Sequence, residues 1–208
     1  SGSSSMLAGK IVLFPLRFLY DNIFFPVYKG KLAKYVASLC DAGSTVLDVG
    51  CDTGYTATSI MKNAHSLKFI GVDVQRGRPA LIEKKLYDGR NLPFPDNSFD
   101  IVIALDVLHH TRDIAGLLSE MRRVSRKYVI VKDHRKYGFF SNLGISLFDW
   151  LANVGYGIKC VFNYPTLDKW KAYFQESGLE IVGMPEKLYF GFGLSGRYNP
   201  IFKLKKVK

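Results

Sequence analysis

The chain has 208 residues, of which 48% are hydrophobic and 23% charged, a composition typical of a folded globular protein, so wholesale disorder is excluded. Lysines and arginines number 29 against 18 acidic residues, giving a formal net charge of +11, which can attract nucleic-acid phosphates or an anionic membrane surface. Three widely spaced cysteines argue against a disulfide framework or a structural zinc site. This cysteine usage favours a cytoplasmic protein, and no metal site is predicted.

Residues 1–5 have the composition of an expression tag, and residues 6–208 are predicted to form a single domain. Residues 6–40 are apolar and aromatic with interspersed basic residues, a pattern that predicts one or two helices. The longest apolar run in this segment contains a proline and an arginine and is shorter than the roughly 20 residues that span a bilayer. The segment could pack on the core or lie on an anionic membrane surface, so peripheral membrane contact stays open.

From residue 45 onward, short runs rich in valine and isoleucine alternate with helical patterns. This alternation predicts an α/β fold with parallel strands in one sheet. Strands are predicted at 45–49, 68–74, 83–87, 100–105, 128–131, 179–182 and 201–205. Helices are predicted at 55–63 and 114–124, and a third is predicted between Thr166, a candidate N-cap, and Gly178, a candidate stop.

Residues 139–160 follow the fifth predicted strand and carry large apolar side chains at helical spacing. The pattern predicts a helical insertion. Because it follows the carboxyl end of a strand, where ligands bind in such folds, we expect it to form a lid over the ligand pocket. A helix permanently packed on the core is the alternative.

The segment 46–54, VLDVGCDTG, has the pattern of a buried strand followed by a glycine-containing turn and a helix start. Gly50 and Gly54 would let a ligand approach the backbone, and the next helix would direct free N–H groups toward it. A dinucleotide fingerprint requires glycine at the position of Asp52. Nicotinamide cofactors are therefore disfavoured.

Acidic residues end the second and third predicted strands. Asp73 stands about twenty residues after the glycine turn, where a carboxylate can accept hydrogen bonds from two ribose hydroxyls. Asp88 ends the third strand ahead of LPFPDNSFD. The residues that follow three predicted strands are therefore expected to contact one bound nucleoside.

The segments VLDVGCDTG, GVDV, DGRNLPFPDNSFD and ALDVLHH, in this order and spacing, resemble class I S-adenosylmethionine-dependent methyltransferases of the type 11 branch, which includes ubiquinone and menaquinone methyltransferase-like proteins. The resemblance covers residues 45–131. It implies S-adenosylmethionine as cofactor and a Rossmann-like, doubly wound, mostly parallel seven-stranded sheet with an antiparallel last strand. It also implies a cofactor site in which Gly50, Cys51 and Gly54 line the methionine moiety, Asp73 contacts the ribose hydroxyls, Asp88 contacts the adenine amino group with Gly89 beside it, and Leu105 contacts the cofactor through its backbone. Asp48, Asp52 and Val74 are the further cofactor-binding residues expected.

The chain departs from the family pattern at two places. Asp52 replaces the middle glycine of the G-x-G-x-G turn, where it could contact the cofactor ammonium or impair binding. The connection between Asp73 and Asp88 is short and contains Arg76-Gly77-Arg78-Pro79, so its crossover helix is expected to be short or missing. These departures leave open a cofactor-binding pseudoenzyme with a scaffolding role.

The acceptor is expected at the carboxyl ends of the fourth and fifth strands. Methyl transfer from a sulfonium requires alignment and, when an acceptor proton is lost, a base that titrates near neutrality. His134 and His110 are the candidate bases, and Asp133 is the candidate to orient either imidazole. A packing role is the alternative for His110. The apolar flanking segments predict a small, hydrophobic or lipid-like acceptor.

An RNA methyltransferase is the alternative enzyme, because a run of basic residues could bind phosphates. A solvated basic surface would look the same, and no RNA-recognition module is evident, so nucleic acid is the less expected partner. The basic residues concerned are Arg122, Arg123, Arg126, Lys127, Lys132, Arg135 and Lys136.

Overall fold

The computed structural model describes residues 25–76, 79–136, 164–184 and 199–207. Its helices are α1 (Phe25–Leu39), α2 (Tyr55–Asn63), α3 (Ile114–Val124) and α4 (Leu167–Glu176), with a 3-10 turn at Leu108–His110. Its strands are β1 (Thr45–Val49), β2 (Lys68–Asp73), β3 (Glu83–Leu86), β4 (Phe99–Leu105), β5 (Ser125–Lys132), β6 (Leu179–Gly183) and β7 (Ile201–Lys206).

The strands form one seven-stranded sheet in the order β3-β2-β1-β4-β5-β7-β6. Strands β1 to β5 pair in parallel, and β7 runs antiparallel to both β5 and β6. The expected doubly wound sheet with an antiparallel last strand is therefore confirmed, with that strand inserted between β5 and β6. The strand order reverses between β1 and β4, and this switch point opens a crevice at the carboxyl ends of the strands.

Helices cover both faces of the sheet. On one face, α3 and α4 bury a cluster that includes Leu118, Met121 and Trp170. On the other face, α1 and α2 bury a second cluster that includes Val36 and Ile60. Burial on both faces explains why the central strands carry nearly continuous apolar runs.

Helix α4 has the termini expected from its sequence. The Thr166 hydroxyl accepts a hydrogen bond from the Lys169 N–H at 3.3 Å, and Gly178 after the helix has a φ of 66°. The Trp170 indole N–H donates to the His134 carbonyl at 3.0 Å. Helix α4 is thereby attached to the loop that follows β5.

Helix α1 is the described part of the predicted helical segment 6–40. Its carboxyl end is held by Lys203, whose Nζ donates to the Leu39 carbonyl at 2.9 Å and lies 3.9 Å from the Tyr128 ring centroid. The remainder of that segment and the predicted insertion 139–160 lie outside the described residues. Across the described ranges, no helix is long and apolar enough to span a membrane.

The connection from β2 to β3 contains no helix in its described parts, residues 74–76 and 79–82. Ile82 occupies the space beside the glycine turn, since a Cβ atom built on Gly54 would lie 2.6 Å from its Cγ1. Lys84 of β3 donates to the carbonyls of Asp52 and Arg76 at 3.0 and 2.9 Å. Ile82 and Lys84 therefore contact the glycine turn from the β2–β3 connection and from β3. The described parts of that connection agree with the expectation that its crossover helix is short or missing.

Candidate active site

The glycine turn after β1 lies at the switch point of the sheet. Gly50, Asp52 and Gly54 have φ values of 73°, 45° and 74°. The N–H groups of Gly50 and Cys51 donate to the Val72 carbonyl at 2.8 and 3.1 Å. A Cβ atom on Gly50 would lie 2.6 Å from Val107 Cγ2, so both the backbone conformation and the space require glycine.

Asp73 joins the end of β2 to this turn. Its Oδ2 accepts a hydrogen bond from the Asp52 N–H at 2.8 Å, and its Oδ1 accepts from the Gln75 N–H at 3.0 Å. A carboxylate has about four lone-pair sites, so acceptor capacity remains for a ligand. The structure therefore brings together the carboxylate and the turn that the sequence predicted to share a ligand.

Asp88, Gly89 and Val74 meet at the next strand ends. The Asp88 carboxylate accepts hydrogen bonds from the N–H groups of Arg90 and Asn91 and from the Asn91 side chain, at 2.8, 2.7 and 2.9 Å. These bonds lower its pKa to about 2, the Asn91 N–H being the largest cause. Val74 is 56% exposed, and its Cγ1 would lie 3.3 Å from a Cβ on Gly89. An apolar side chain, a glycine and an ionised carboxylate thus follow the adjacent strands β2 and β3.

Asp48 of β1 is buried, and no hydrogen bond from the described residues reaches its carboxyl group. Burial raises its pKa to about 7; Lys29 opposes this shift and Asp73 adds to it. Leu105, at the end of β4, is also buried on this face of the sheet. Asp48 therefore changes charge near neutral pH inside the crevice.

A buried ionic cluster lies between the ends of β4 and β5. The Asp106 carboxylate, in a residue with a φ of 63°, accepts a short hydrogen bond from Lys132 and one of 3.3 Å from the Tyr28 hydroxyl. Lys29 Nζ lies 3.7 Å from it, and Lys132 also donates to the Asn199 side chain at 3.0 Å. Burial would raise the pKa of Asp106, but Lys132 and Lys29 outweigh it and hold this pKa well below its usual range.

Sequence reasoning did not identify Tyr28, Lys29 or Lys84 as site residues. Tyr28 and Lys29 come from α1, which precedes all the recognisable motifs. The aromatic and basic pattern of that segment predicts a helix but does not distinguish a buried lysine from an exposed one. No local pattern could have indicated their approach to Asp106.

Asp133 orients a different histidine from the two that were expected. Its Oδ1 lies 2.6 Å from His109 Nδ1, and its Oδ2 accepts from the His109 backbone N–H at 3.2 Å. It contacts His134 through the backbone, accepting the His134 N–H at 2.6 Å. Asp133 is fully buried and has a lowered pKa, because His109 outweighs the effect of burial.

The three histidines form one cluster with Tyr164. The His109 ring centroid lies 3.9 Å from that of His110 and 4.9 Å from that of His134. His134 Nε2 lies 3.8 Å from Asp106 Oδ1, and its ring lies 5.6 Å from Tyr164. Burial lowers the pKa of His134 to about 4, and Lys132 adds to the effect. His134 is therefore neutral at physiological pH and can accept a hydrogen bond or a proton, but its pKa lies below the near-neutral value expected of a general base.

Several members of the basic cluster make internal contacts. The Arg123 guanidinium bonds Glu120, Asp96 and the carbonyls of Leu92 and Phe94 at 2.7 to 3.0 Å. Arg126 bonds Asp100 and two carbonyls of the preceding loop, and Lys132 is buried against Asp106. The two arginines hold the loop before β4 at the amino end of the strands, away from the crevice.

Within the part of the chain that the structure describes, no group of three or more His, Cys, Asp or Glu side chains is arranged to hold a metal ion.

A model of the methyltransferase domain family matches residues 24–183, which is more than half of the chain. The chain belongs to this family. The match and the sheet order place it among class I S-adenosylmethionine-dependent methyltransferases, which confirms the family expected from the glycine turn and the strand-end acids. The cofactor of this class is S-adenosylmethionine.

Two curated methyltransferases show what kinds of protein the chain is similar to. A sterol 24-C-methyltransferase of Gibberella zeae is 37% identical over 94 residues, which cover 39% of this chain and 25% of that protein. A demethylmenaquinone methyltransferase of Symbiobacterium thermophilum is 29% identical over 171 residues, which cover 65% of this chain and 68% of that protein. The chain thus spans about a quarter of the first relative and about two thirds of the second.

The fold is also shared with solved structures. A chain from the complex between the Haloferax volcanii Trm112 methyltransferase activator and a methyltransferase superposes with a TM-score of 0.64. The alignment has 14% sequence identity and covers 91% of this chain and 92% of that chain. At this identity the likeness shows the fold alone.

Proposed function

We propose that this chain transfers the methyl group of S-adenosylmethionine to a small hydrophobic or lipid-like acceptor. The observation that carries the proposal is the pairing of Asp73 with the Asp52 N–H. This pair presents the glycine turn, a carboxylate with spare acceptor capacity and the buried Asp48 to one crevice. When bound there, S-adenosylmethionine supplies an electrophilic methyl group on a sulfonium.

The proposed cofactor site assigns one type of contact to each strand end. Asp48 accepts from the ammonium of the methionine moiety, and the turn from Gly50 to Gly54 lies against that moiety. Asp73 accepts from the ribose hydroxyls. Asp88, Gly89 and Val74 contact the adenine, and Leu105 contributes its backbone. Asp52 supports the turn through its backbone N–H and carbonyl groups, and because these contacts do not involve the side chain, the replacement of the middle glycine leaves them intact.

The proposed acceptor site is the histidine cluster at the ends of β4 and β5. Neutral His134 removes the proton that the methyl acceptor loses, and His110 is the second candidate base. Asp133 positions this cluster by hydrogen bonding to the His109 side chain and to the His134 backbone N–H. The lowered pKa of His134 keeps it unprotonated at neutral pH, so activity at saturating cofactor is expected to stay constant as the pH rises above about 5.

A hydrophobic acceptor is supported by two observations. The similar proteins have names that refer to a sterol and to demethylmenaquinone. Two of the arginines that could have bound RNA phosphates, Arg123 and Arg126, are engaged at the opposite end of the strands. The lid role of residues 139–160 and a membrane contact through residues 6–40 remain parts of the proposal.

The proposal is tested by calorimetry and mass spectrometry on the purified full chain. We expect S-adenosylhomocysteine to bind, and a gain of one methyl group in at least one acceptor from a panel comprising a quinol, a sterol and phosphatidylethanolamine vesicles. Asp73→Asn is expected to weaken both signals, whereas Asp41→Asn, which changes an exposed carboxylate paired with Lys127, keeps them. Cofactor binding that survives Asp73→Asn unchanged would remove the basis of the site. Cofactor binding by the wild type without methylation of any acceptor would instead favour the pseudoenzyme alternative.

A further inference from the structure

The helices on the two faces of the sheet differ in charge. Helix α1 contains three lysines and α2 one, and neither contains an acidic residue. On the opposite face, α3 and α4 carry Glu120, Asp168 and Glu176 alongside their basic residues. The α1–α2 face is therefore cationic, whereas the α3–α4 face has mixed charge.

The exposed lysines of α1 lie on one stripe of the helix. Val27, Lys31 and Lys34 are exposed and follow one another at spacings of four and three residues, which places them on the same side. The other side of α1 packs on the sheet and on α2. Asp41, the first acidic residue after α1, pairs with Lys127 at 3.5 Å. The stripe therefore presents positive charge to the surroundings, with an apolar side chain at its beginning.

Both helices begin at the crevice. The Tyr28 hydroxyl in α1 donates to Asp106, which follows β4, and α2 begins directly after the glycine turn. The Leu81 N–H donates to the Thr53 carbonyl at 2.8 Å, which places Leu81 beside the start of α2. Three large apolar side chains at these positions are exposed by 52%, 44% and 63%, namely Val27, Tyr55 and Leu81. The rim of the crevice on this side is therefore apolar and borders the cationic stripe.

Apolar side chains next to lysines are complementary to the surface of an anionic bilayer. The phospholipid headgroups attract the lysines, and the layer just below them accepts the apolar side chains. RNA would use the lysines but not Val27 or Leu81, because nucleic acid is bound through phosphate contacts and stacking on aromatic rings. The combination of charge and apolar surface therefore favours a membrane.

We propose that the α1–α2 face docks on an anionic phospholipid bilayer, with Val27 and Leu81 in the interfacial layer and the crevice toward the lipid. The proposal extends the membrane contact of residues 6–40 to folded elements that border the crevice. It rests on the proposed function, since a hydrophobic acceptor dissolved in the bilayer could then reach the crevice without crossing water.

Vesicle flotation of the purified full chain tests the contribution of charge. The vesicles contain phosphatidylcholine alone or with added phosphatidylglycerol. We expect the wild type to bind the anionic vesicles more tightly, and added salt to weaken this binding. Lys31→Gln/Lys34→Gln should weaken it at least about tenfold, because each lysine beside an anionic surface contributes roughly fivefold. Lys169→Gln/Lys171→Gln removes the same charge from exposed positions of α4 and should change it by less than about twofold, because that face points away from the bilayer.

The apolar rim is tested with uncharged substitutions. Val27→Ser/Leu81→Ser should weaken binding to both kinds of vesicle by roughly tenfold, because two apolar side chains no longer leave water. Val207→Ser is the control. Val207 is 47% exposed and follows β7, whose antiparallel direction places it at the opposite edge of the sheet from the crevice. The control should bind like the wild type.

Equal losses in the two lysine pairs would overturn the proposal, because they would indicate attraction through the overall charge of +11. A wild type that does not bind anionic vesicles would also overturn it. A weaker affinity for single-stranded RNA in Lys31→Gln/Lys34→Gln, with unchanged vesicle binding, would assign the face to nucleic acid instead. Calorimetry with S-adenosylhomocysteine should give the same dissociation constant in every variant, which shows that each is folded. Absence of cofactor binding in the wild type would contradict the proposed function, whereas the flotation result tests the docking face alone.

Discussion

Asp133 and His109 connect the loops that follow β5 and β4 through a contact of 2.6 Å between Oδ1 and Nδ1. The same carboxylate accepts the backbone N–H groups of His109 and His134. Because both residues are buried, the contact is shielded from water and salt. The separation of the two loops, and with it the shape of the proposed acceptor site, depends on this pair.

Asp133→Asn is therefore expected to destabilise the fold by roughly 3–5 kcal/mol, as when one partner of a buried ion pair is removed. Urea unfolding at pH 7 measures this change in the free energy of unfolding. The matched control is Asp41→Asn, which breaks an exposed ion pair and should cost less than about 1 kcal/mol. A small and equal loss in both variants would contradict a structural role for Asp133.

The same pair predicts a pH dependence of stability. The pKa of Asp133 lies below its unfolded value of 3.8, so the stability that it contributes is present above this pH and is lost as the pH falls through the folded pKa. Asp133→Asn should flatten the loss of stability below about pH 4. An unchanged acid unfolding profile would show that other carboxylates govern it.

Gly50 and Gly43 allow a paired test of the glycine turn. Both have positive φ values, 73° and 78°, but a Cβ on Gly50 meets Val107, whereas one on Gly43 meets nothing within 4 Å. Gly43→Ala should cost only the backbone strain of about 1–2 kcal/mol. Gly50→Ala should cost roughly 1–3 kcal/mol more because of overpacking, and it should weaken cofactor binding.

Val107→Ala separates the backbone strain at Gly50 from the overpacking against Val107. In the Gly50→Ala background it should restore the overpacking part of the stability, leaving the strain that Gly43→Ala shows. Thermal and urea unfolding of the single and double variants give the coupling energy. Additive losses would mean that Val107 does not limit the space at Gly50.

Asp73→Ala should weaken binding of S-adenosylhomocysteine at least tenfold. The change removes the proposed partner of two ribose hydroxyls, and hydrogen bonds to charged groups contribute about 1.5–3 kcal/mol each. It also releases the Asp52 N–H, which loosens the turn. Calorimetry measures the dissociation constant, with Asp41→Ala as the control. An unchanged constant in a folded Asp73→Ala variant would show that this carboxylate holds the turn without contacting the ligand.

The sequence predicted the central elements well and the strand ends less well. Strand β1 and helix α2 have the predicted bounds because apolar periodicity changes at a glycine turn. Strand β5 begins earlier than predicted, at Ser125, since Ser125 pairs with Phe99 across the sheet. Residues 125–127 carry no apolar pattern, so only the tertiary pairing makes them part of a strand.

The candidate site divides in the same way. The glycine turn, Asp73 and Asp88 belong to motifs in which each residue follows a strand, so topology alone brings them together. The choice of His109 over His110 as the partner of Asp133 depends on the 3-10 turn Leu108–His110, which directs adjacent side chains differently. Because His109 and His110 are adjacent, the sequence pattern does not indicate which of them contacts Asp133.

Asp48 predicts opposite effects of pH on stability and on cofactor affinity. Its pKa is about 7 in the folded protein, against 3.8 for an exposed aspartate of the unfolded chain. A group with a raised folded pKa contributes stability that is present below the unfolded pKa and lost as the pH rises through the folded pKa. Stability without ligand should therefore fall between about pH 4 and pH 7 through this group.

Affinity for the cofactor should change in the other direction, because only ionised Asp48 attracts the ligand ammonium. With a pKa of about 7, the ionised fraction rises about tenfold between pH 6 and pH 8, and the affinity for S-adenosylhomocysteine should rise by a similar factor. Asp48→Asn should abolish this dependence and bind with an affinity near that of the wild type at low pH. Calorimetry at pH 6, 7 and 8 in buffers of equal ionic strength measures the effect, and Asp41→Asn should follow the wild type. A wild-type affinity that does not change over this range would mean that Asp48 does not contact the ammonium.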